Sequence, residues 1–176
     1  MKKKLILILG GVRSGKSSYA QQLADEIGNR ILFLATAGAG DDEMKRRIAK
    51  HKSSRPESWR TIEEQMDLAG ALRKNAAHAD AVIIDCMTVW LSNMLMHNEK
   101  LSEQEMIEGV DRLINSYEHG EASYIVVSGE VGMGIVPEHP LGRVFRDYLG
   151  LANQRLAGTA DRVVLMVAGI AVNVKK

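Results

Sequence analysis

Short runs of apolar, mostly branched residues recur along the chain, separated by longer stretches with a helical period. Five of these runs, Leu5–Leu9, Ile31–Ala35, Ala81–Asp85, Tyr124–Ser128 and Arg162–Val167, are nearly continuous in hydrophobicity rather than alternating. That is the pattern of parallel strands covered on both faces. Between them the spacing of apolar positions predicts helices over 16–27, 42–53, 62–75, 87–97, 102–118 and 141–157. The last residues, Val172–Lys176, suit a short additional edge strand. Alternation of strand and helix implies an α/β fold, a mostly parallel sheet flanked by helices. The 176 residues hold no repeat, linker or low-complexity tract and read as a single domain, 1–176.

Glycines fall where these strands end: Gly10 and Gly11, Gly38 and Gly40, Gly129 to Gly134, and Gly169. In open α/β sheets ligands bind outside the carboxyl ends of the strands, so several segments are expected to converge on one crevice.

Composition removes several classes of function. A formal net charge of +1 points neither to nucleic acid nor to an acidic solvating protein. The one cysteine, Cys86, allows no intrachain disulfide and favours a cytoplasmic home. The opening Met1-Lys2-Lys3-Lys4 imitates a signal peptide, but its apolar run of five residues ends at Gly10-Gly11, which suits a buried strand better. No stretch approaches the ~18 apolar residues of a membrane helix.

The chemistry begins at the first strand's end. Gly10-Gly11-Val12-Arg13-Ser14-Gly15-Lys16-Ser17 matches the phosphate-binding pattern G-x-x-x-x-G-K-S between a predicted strand and a predicted helix. Glycines let successive N–H groups turn inward, and the helix N-terminus adds its positive dipole end. Lys16 would reach the β/γ-phosphates and the Ser17 hydroxyl would ligate Mg²⁺. The expected fold is therefore a P-loop NTPase of the RecA-like kind. Val82-Ile83-Ile84-Asp85 reads as the partner strand whose carboxylate holds the metal; the same residue could instead cap the next helix.

Residues 41–56 distinguish this chain from a generic P-loop enzyme. Three acids open the segment, cations fill its later turns, and Pro56 closes it. On a helical period Met44, Ile48, His51 and Arg55 share one stripe. An imidazole with its ordinary pKa of about 6.5 is mostly neutral at cytoplasmic pH and can act as a nucleophile. Periodicity alone favours a structural histidine that hydrogen-bonds a backbone carbonyl.

Several longer segments then resemble, in order, the bifunctional adenosylcobinamide kinase/adenosylcobinamide-phosphate guanylyltransferase family. They are Leu9 through Ser17, Leu34-Ala35-Thr36-Ala37, Asp41 through Met44 with Arg47, Ile48 and His51 through Pro56, and Trp59-Arg60-Thr61 with Glu63. Further on come Asp85 through Asn93, Glu130 through Pro137, Arg143, Phe145-Arg146-Asp147, Gly150 and Asn153-Gln154. The resemblance implies phosphorylation of the aminopropanol hydroxyl of adenosylcobinamide by ATP or GTP. Transfer of GMP from GTP through a guanylyl-histidine would follow, giving adenosylcobinamide-GDP for cobalamin. It makes His51 the nucleophile, since Lys50 stands where some members carry an adjacent histidine. It places Gly10 to Ser17, Ala35, Thr36, Ala37, His51, Lys52, Ser53, Ser54, Glu63 and Asp85 at nucleotide, with Glu63 suited to accept from guanine N1 and N2.

The same resemblance implies Mg²⁺ at Ser17 and Asp85, and a homotrimer. Glu130 is the candidate for ordering the kinase nucleophile or the metal, beside an alternative as the cap of its own turn. Gly129 departs from the asparagine usual before Glu-Val-Gly. The apolar segment Met87–Met96 reads as a buried helix or as part of a subunit contact.

Two other readings keep the phosphate loop. A small-molecule kinase would form no covalent adduct, and it leaves the basic helix without a task. A GTP-binding switch would carry an Asn/Thr-Lys-x-Asp segment after a strand, which this chain lacks.

Overall fold

The computed structural model describes residues 2–38 and 56–176. Seven strands form one sheet: β1 (Leu5–Gly10), β2 (Ile31–Ala35), β3 (Arg60–Glu63), β4 (Ala81–Asp85), β5 (Ser123–Val127), β6 (Arg162–Val167) and β7 (Ile170–Lys175). Their order is β3-β2-β4-β5-β1-β6-β7. All pairings are parallel except the last, β6 with β7. The described helices are α1 (Lys16–Ile27), α2 (Leu68–Asn75), α3 (Met87–His97), α4 (Glu103–His119) and α5 (Pro140–Thr159). None is long and apolar enough to cross a membrane.

Strand periodicity sends alternate residues into two cores. Leu5, Leu7, Leu32, Leu34, Val82, Ile84, Tyr124 and Val126 pack under α2 to α5. Ile6, Ile8, Ile31, Phe33, Ile83, Ile125 and Val127 face the other way, against Ala20, Leu23 and Ala24 of α1 and against Trp59. Near-complete burial of these strands explains their unbroken apolar runs in the sequence.

The expected α/β architecture holds, with local corrections. The helix expected over 62–75 is instead strand β3 followed by the shorter α2. β3 is an edge strand, exposed at Arg60, Thr61 and Glu63, so its sequence lacks the apolar run that betrayed the others. The carboxylate of Glu64 accepts the N–H groups of Met66 and Asp67. Asp67 then caps α2 by accepting the Gly70 N–H. The final strand starts at Ile170, two residues earlier than expected, because Ala168 (φ 49°) and Gly169 (φ 85°) turn β6 back as a tight hairpin. Met87, Trp90, Leu91 and Leu95 of α3 are buried, as a buried helix requires, while Met96 on the same helix is exposed. The helix expected over 42–53 lies outside the described residues.

Candidate active site

β1 ends in Gly10, whose φ of 149° favours glycine, and a Cβ there would sit 2.6 Å from the Met166 carbonyl oxygen. Gly15, at φ 93°, is the left-handed residue from which α1 starts. The loop between them is propped from both sides. The Gly169 N–H donates to the Ser14 carbonyl (3.0 Å), and the Glu130 N–H donates to the Gly10 carbonyl (3.1 Å). α1 has no side-chain cap and no acid in its first turn, so its leading N–H groups and positive dipole end remain available to an anion. The Lys16 ammonium donates to the Gly11 carbonyl at 2.6 Å, within the same loop. Val12 and Arg13 are exposed, Ser17 is half-buried, and the buried Ser14 hydroxyl has no hydrogen-bond partner.

β4 delivers Asp85 to the same end of the sheet, and α1 packs against β4. The thiol of Cys86 registers both charges. Burial, then the Asp85 carboxylate, push it up to about 11, while the Lys16 ammonium pulls slightly the other way. Both charges therefore bear on Cys86, which is itself protonated and inert at neutral pH. Among the described residues no cluster of three or more His, Cys, Asp or Glu exists. Mg²⁺ needs none, because it is commonly held by a hydroxyl or carboxylate or two together with water and substrate phosphate. Ser17 and Asp85 fit that description.

Thr36 has a structural task within the fold. It is fully buried, and its hydroxyl donates to the Cys86 carbonyl and accepts the Cys86 N–H, both at 2.8 Å. Its own N–H donates to the Asp85 carbonyl, and its carbonyl accepts from Asn93 Nδ2. The residue ties β2 to β4 and presents no hydroxyl to a ligand. Ala35 beside it is buried and Ala37 half-buried.

Glu130 stands where the segment after β5 meets the P-loop. One of its carboxylate oxygens accepts the Gly132 N–H at 2.7 Å, so the turn-capping contact is present. Gly129 donates its N–H to Thr88 Oγ1 (2.6 Å) and accepts from Asn153 Nδ2 (3.0 Å). A Cβ at position 129 would lie 2.8 Å from Thr88 Oγ1, so glycine is what admits this close approach. Motif reading gave no roles to Thr88, Asn93, Asn153 and Arg146, whose guanidinium donates to the Gly132 carbonyl. These residues hold the loops, and only the folded contacts reveal it.

The sheet separates the remaining candidate. Glu63 ends β3, four strands from β1, which at ~4.8 Å per strand puts it on the order of 19 Å from the P-loop strand. Glu130 meets Gly10 of the loop and Asp85 ends β4 on the same side of the sheet, whereas Glu63 ends the edge strand. His51, Lys52, Ser53 and Ser54 lie outside the described residues.

A parallel sheet whose first strand runs through this loop into an uncapped helix, opposite an acidic strand end, defines a P-loop nucleotide-binding protein. The fold alone is also shared with the flagellar accessory protein FlaH from Methanocaldococcus jannaschii (TM-score 0.55, 15% identity, 98% of this chain and 78% of that one). The RadB recombinase is similar too (TM-score 0.52, 17% identity, 92% and 73%). Residues 6–174 match the family described as cobinamide kinase / cobinamide phosphate guanyltransferase, and the chain belongs to that family.

Relatives extend over nearly the whole length. The bifunctional adenosylcobalamin biosynthesis protein CobP of Pseudomonas aeruginosa is 41% identical over 170 residues, 96% of each chain. The bifunctional adenosylcobalamin biosynthesis proteins CobU of Salmonella typhimurium and Escherichia coli are 40% and 37% identical, each match covering 97% of this chain and 99% of the relative.

Proposed function

We propose that this chain phosphorylates adenosylcobinamide with ATP or GTP and then converts the product to adenosylcobinamide-GDP. The observation that carries this reading is identity of 37–41%, over nearly the whole chain, to relatives named as bifunctional adenosylcobalamin biosynthesis proteins.

In the kinase step the aminopropanol hydroxyl attacks the γ-phosphorus and the bond to the β-phosphate oxygen breaks, releasing nucleoside diphosphate. The loop amides and Lys16 stabilise charge on the phosphates. Glu130, beside the loop, orders the hydroxyl and takes its proton. Mg²⁺, held by Ser17 and Asp85, would supply neutralising charge at the phosphates.

In the second activity a His51 ring nitrogen attacks the α-phosphorus of GTP, expelling pyrophosphate and leaving a guanylyl-histidine. The phosphate of cobinamide phosphate then attacks that phosphorus and the imidazole departs. Lys52, Ser53, Ser54 and Glu63 would hold the guanosine part. The reading includes a homotrimer working in the cytoplasm. The exposed row Ile170, Val172 and Val174 along edge strand β7 offers such an assembly an apolar surface.

GTP labelled on its α-phosphate, with Mg²⁺, should leave acid-labile, base-stable label on the protein, located by mass spectrometry at His51. Equal labelling of His51→Ala would remove the nucleophile assignment. Transfer of γ-phosphate to the corrinoid without any adduct would leave only a kinase.

A further inference from the structure

Apart from Val12 and Met66, the exposed large apolar side chains of the described residues fall in two groups. One is the β6–β7 hairpin. The other comprises Met96 (80% exposed), near the end of α3, with Met133 (82%), Ile135 (97%) and Val136 (57%) in the segment that follows Glu130, whose N–H donates to the P-loop residue Gly10. Next to them, the second half of α3 and the start of α5 enclose an open groove of about 230 Å³. Leu95, Met96, Leu141 and Phe145 form its apolar walls, with Ser92 and His139 as polar points and, among the described residues, no Asp, Glu, Lys or Arg in its lining.

The exposed segment is held, not slack. At one end Glu130 donates its N–H to the P-loop and accepts the Gly132 N–H. At the other, Arg146 donates to the Gly132 carbonyl and Arg143 to the carbonyls of Pro137 and Glu138. Two arginines of α5 thus fix the loop backbone while Met133, Ile135 and Val136 project from it. Large apolar side chains fixed in water beside a groove with a few polar points are the makings of a ligand surface.

We propose that this groove, with the Met133–Val136 lip, is where the corrin macrocycle of adenosylcobinamide docks; the proposal rests on the function assigned above. The ring is too wide to enter the P-loop, yet its hydroxyl-bearing arm must reach the γ-phosphate. It therefore needs a surface adjoining the loop, and Glu130 lies between loop and lip. A corrin edge carries methyl groups and neutral amides, which call for apolar walls and a few hydrogen-bonding points, not fixed charges. The groove is smaller than the macrocycle, so one edge enters it and the lip takes the ring's face.

The test is the double variant Met96→Asp/Ile135→Asp, whose exposed sites leave the fold intact, with Met96→Leu/Ile135→Leu as the conservative partner. Corrinoid phosphorylation is measured against adenosylcobinamide and against ATP, and mass in solution by sedimentation. The Asp pair should raise the KM for adenosylcobinamide about tenfold or more through loss of apolar contact, with the KM for ATP near that of the parent. The Leu pair should restore corrinoid affinity. A corrinoid KM within about twofold of the parent in the Asp pair, with phosphorylation intact, overturns the docking site and leaves the function standing. A changed mass with corrinoid and ATP affected alike makes the groove a subunit contact and also overturns it. If the parent phosphorylates no corrinoid at all, the assigned function fails and this site fails with it.

Discussion

The two ends of the sheet are built differently. At the amino end, side chains close the backbone. The Lys3 ammonium donates to the carbonyls of Tyr117, Glu118 and Gly120 at the end of α4. Asp161 accepts the Leu5 N–H and the Tyr117 hydroxyl, and Asp80 accepts from the backbone of Asn29 and Arg30 and from the Arg30 guanidinium. At the carboxyl end the buried Ser14 Oγ, Ser128 Oγ and Asn153 Oδ1 have no hydrogen-bond partner, α1 is uncapped, and Gly10, Arg13 and Gly15 hold positive φ. Unmet hydrogen-bonding capacity and backbone strain are costly in a folded chain, and here they are concentrated where a phosphate would bind. One end serves stability and the other is kept open for ligand.

That contrast breaks if substitutions at the two ends have similar effects. The largest expected effect is on catalysis: Lys16→Ala should lower the kinase rate by roughly 10²–10³ through lost charge stabilisation. Its thermal midpoint should barely move. A large drop in Tm would show that the ammonium holds the fold together as well.

Asn93 is the cross-tie at the open end, its Nδ2 donating to the Thr36 and Gln65 carbonyls. Asn93→Ala should lower stability by about 1–2 kcal/mol and also raise the nucleotide KM, because two strand-end segments lose their common anchor. A Tm loss with unchanged KM would confine the residue to folding.

At the closed end Asp161→Ala should cost about 1 kcal/mol, read by denaturant unfolding, with kinetic constants unchanged. The smallest effect concerns acid. Hydrogen bonds from the Arg30 side chain, then its backbone, hold the Asp80 carboxyl down at about 2. A depressed carboxyl stabilises the fold at pH values above its ordinary range and loses that contribution as pH falls toward 2. Asp80→Asn should therefore lower Tm slightly at neutral pH, and the gap should close between about pH 4 and pH 2. A gap that persists at pH 2 would assign the effect to something other than charge.

Legibility in the sequence followed burial. β1, β2, β4, β5 and β6 are covered on both faces, so their apolar runs marked them within a residue or so. β3 was read as the start of a helix, because an edge strand is held by backbone pairing with β2 and needs no apolar signature. The capping box that starts α4, Ser102 with Glu105, is local and agrees with the helix expected there. The loop Gly10–Ser17 was fully legible, since its chemistry depends on contiguous residues. The hydroxyl of Thr36 is taken up by Cys86, fifty positions away in sequence, a contact that no motif encodes.

The sequence by itself determined that a phosphate-binding loop lies between the first strand and first helix, and which family the chain resembles. Glycine placement, strand hydrophobicity and the order of motifs are local properties, readable without a fold. Only the tertiary structure decided that Lys16 and Asp85 both bear on Cys86 and that Glu130 is hydrogen-bonded to the P-loop. It alone put Glu63 four strands away and left an apolar lip standing beside the site. Those relations arise from strand order and from contacts between segments remote in sequence, and no local pattern encodes them.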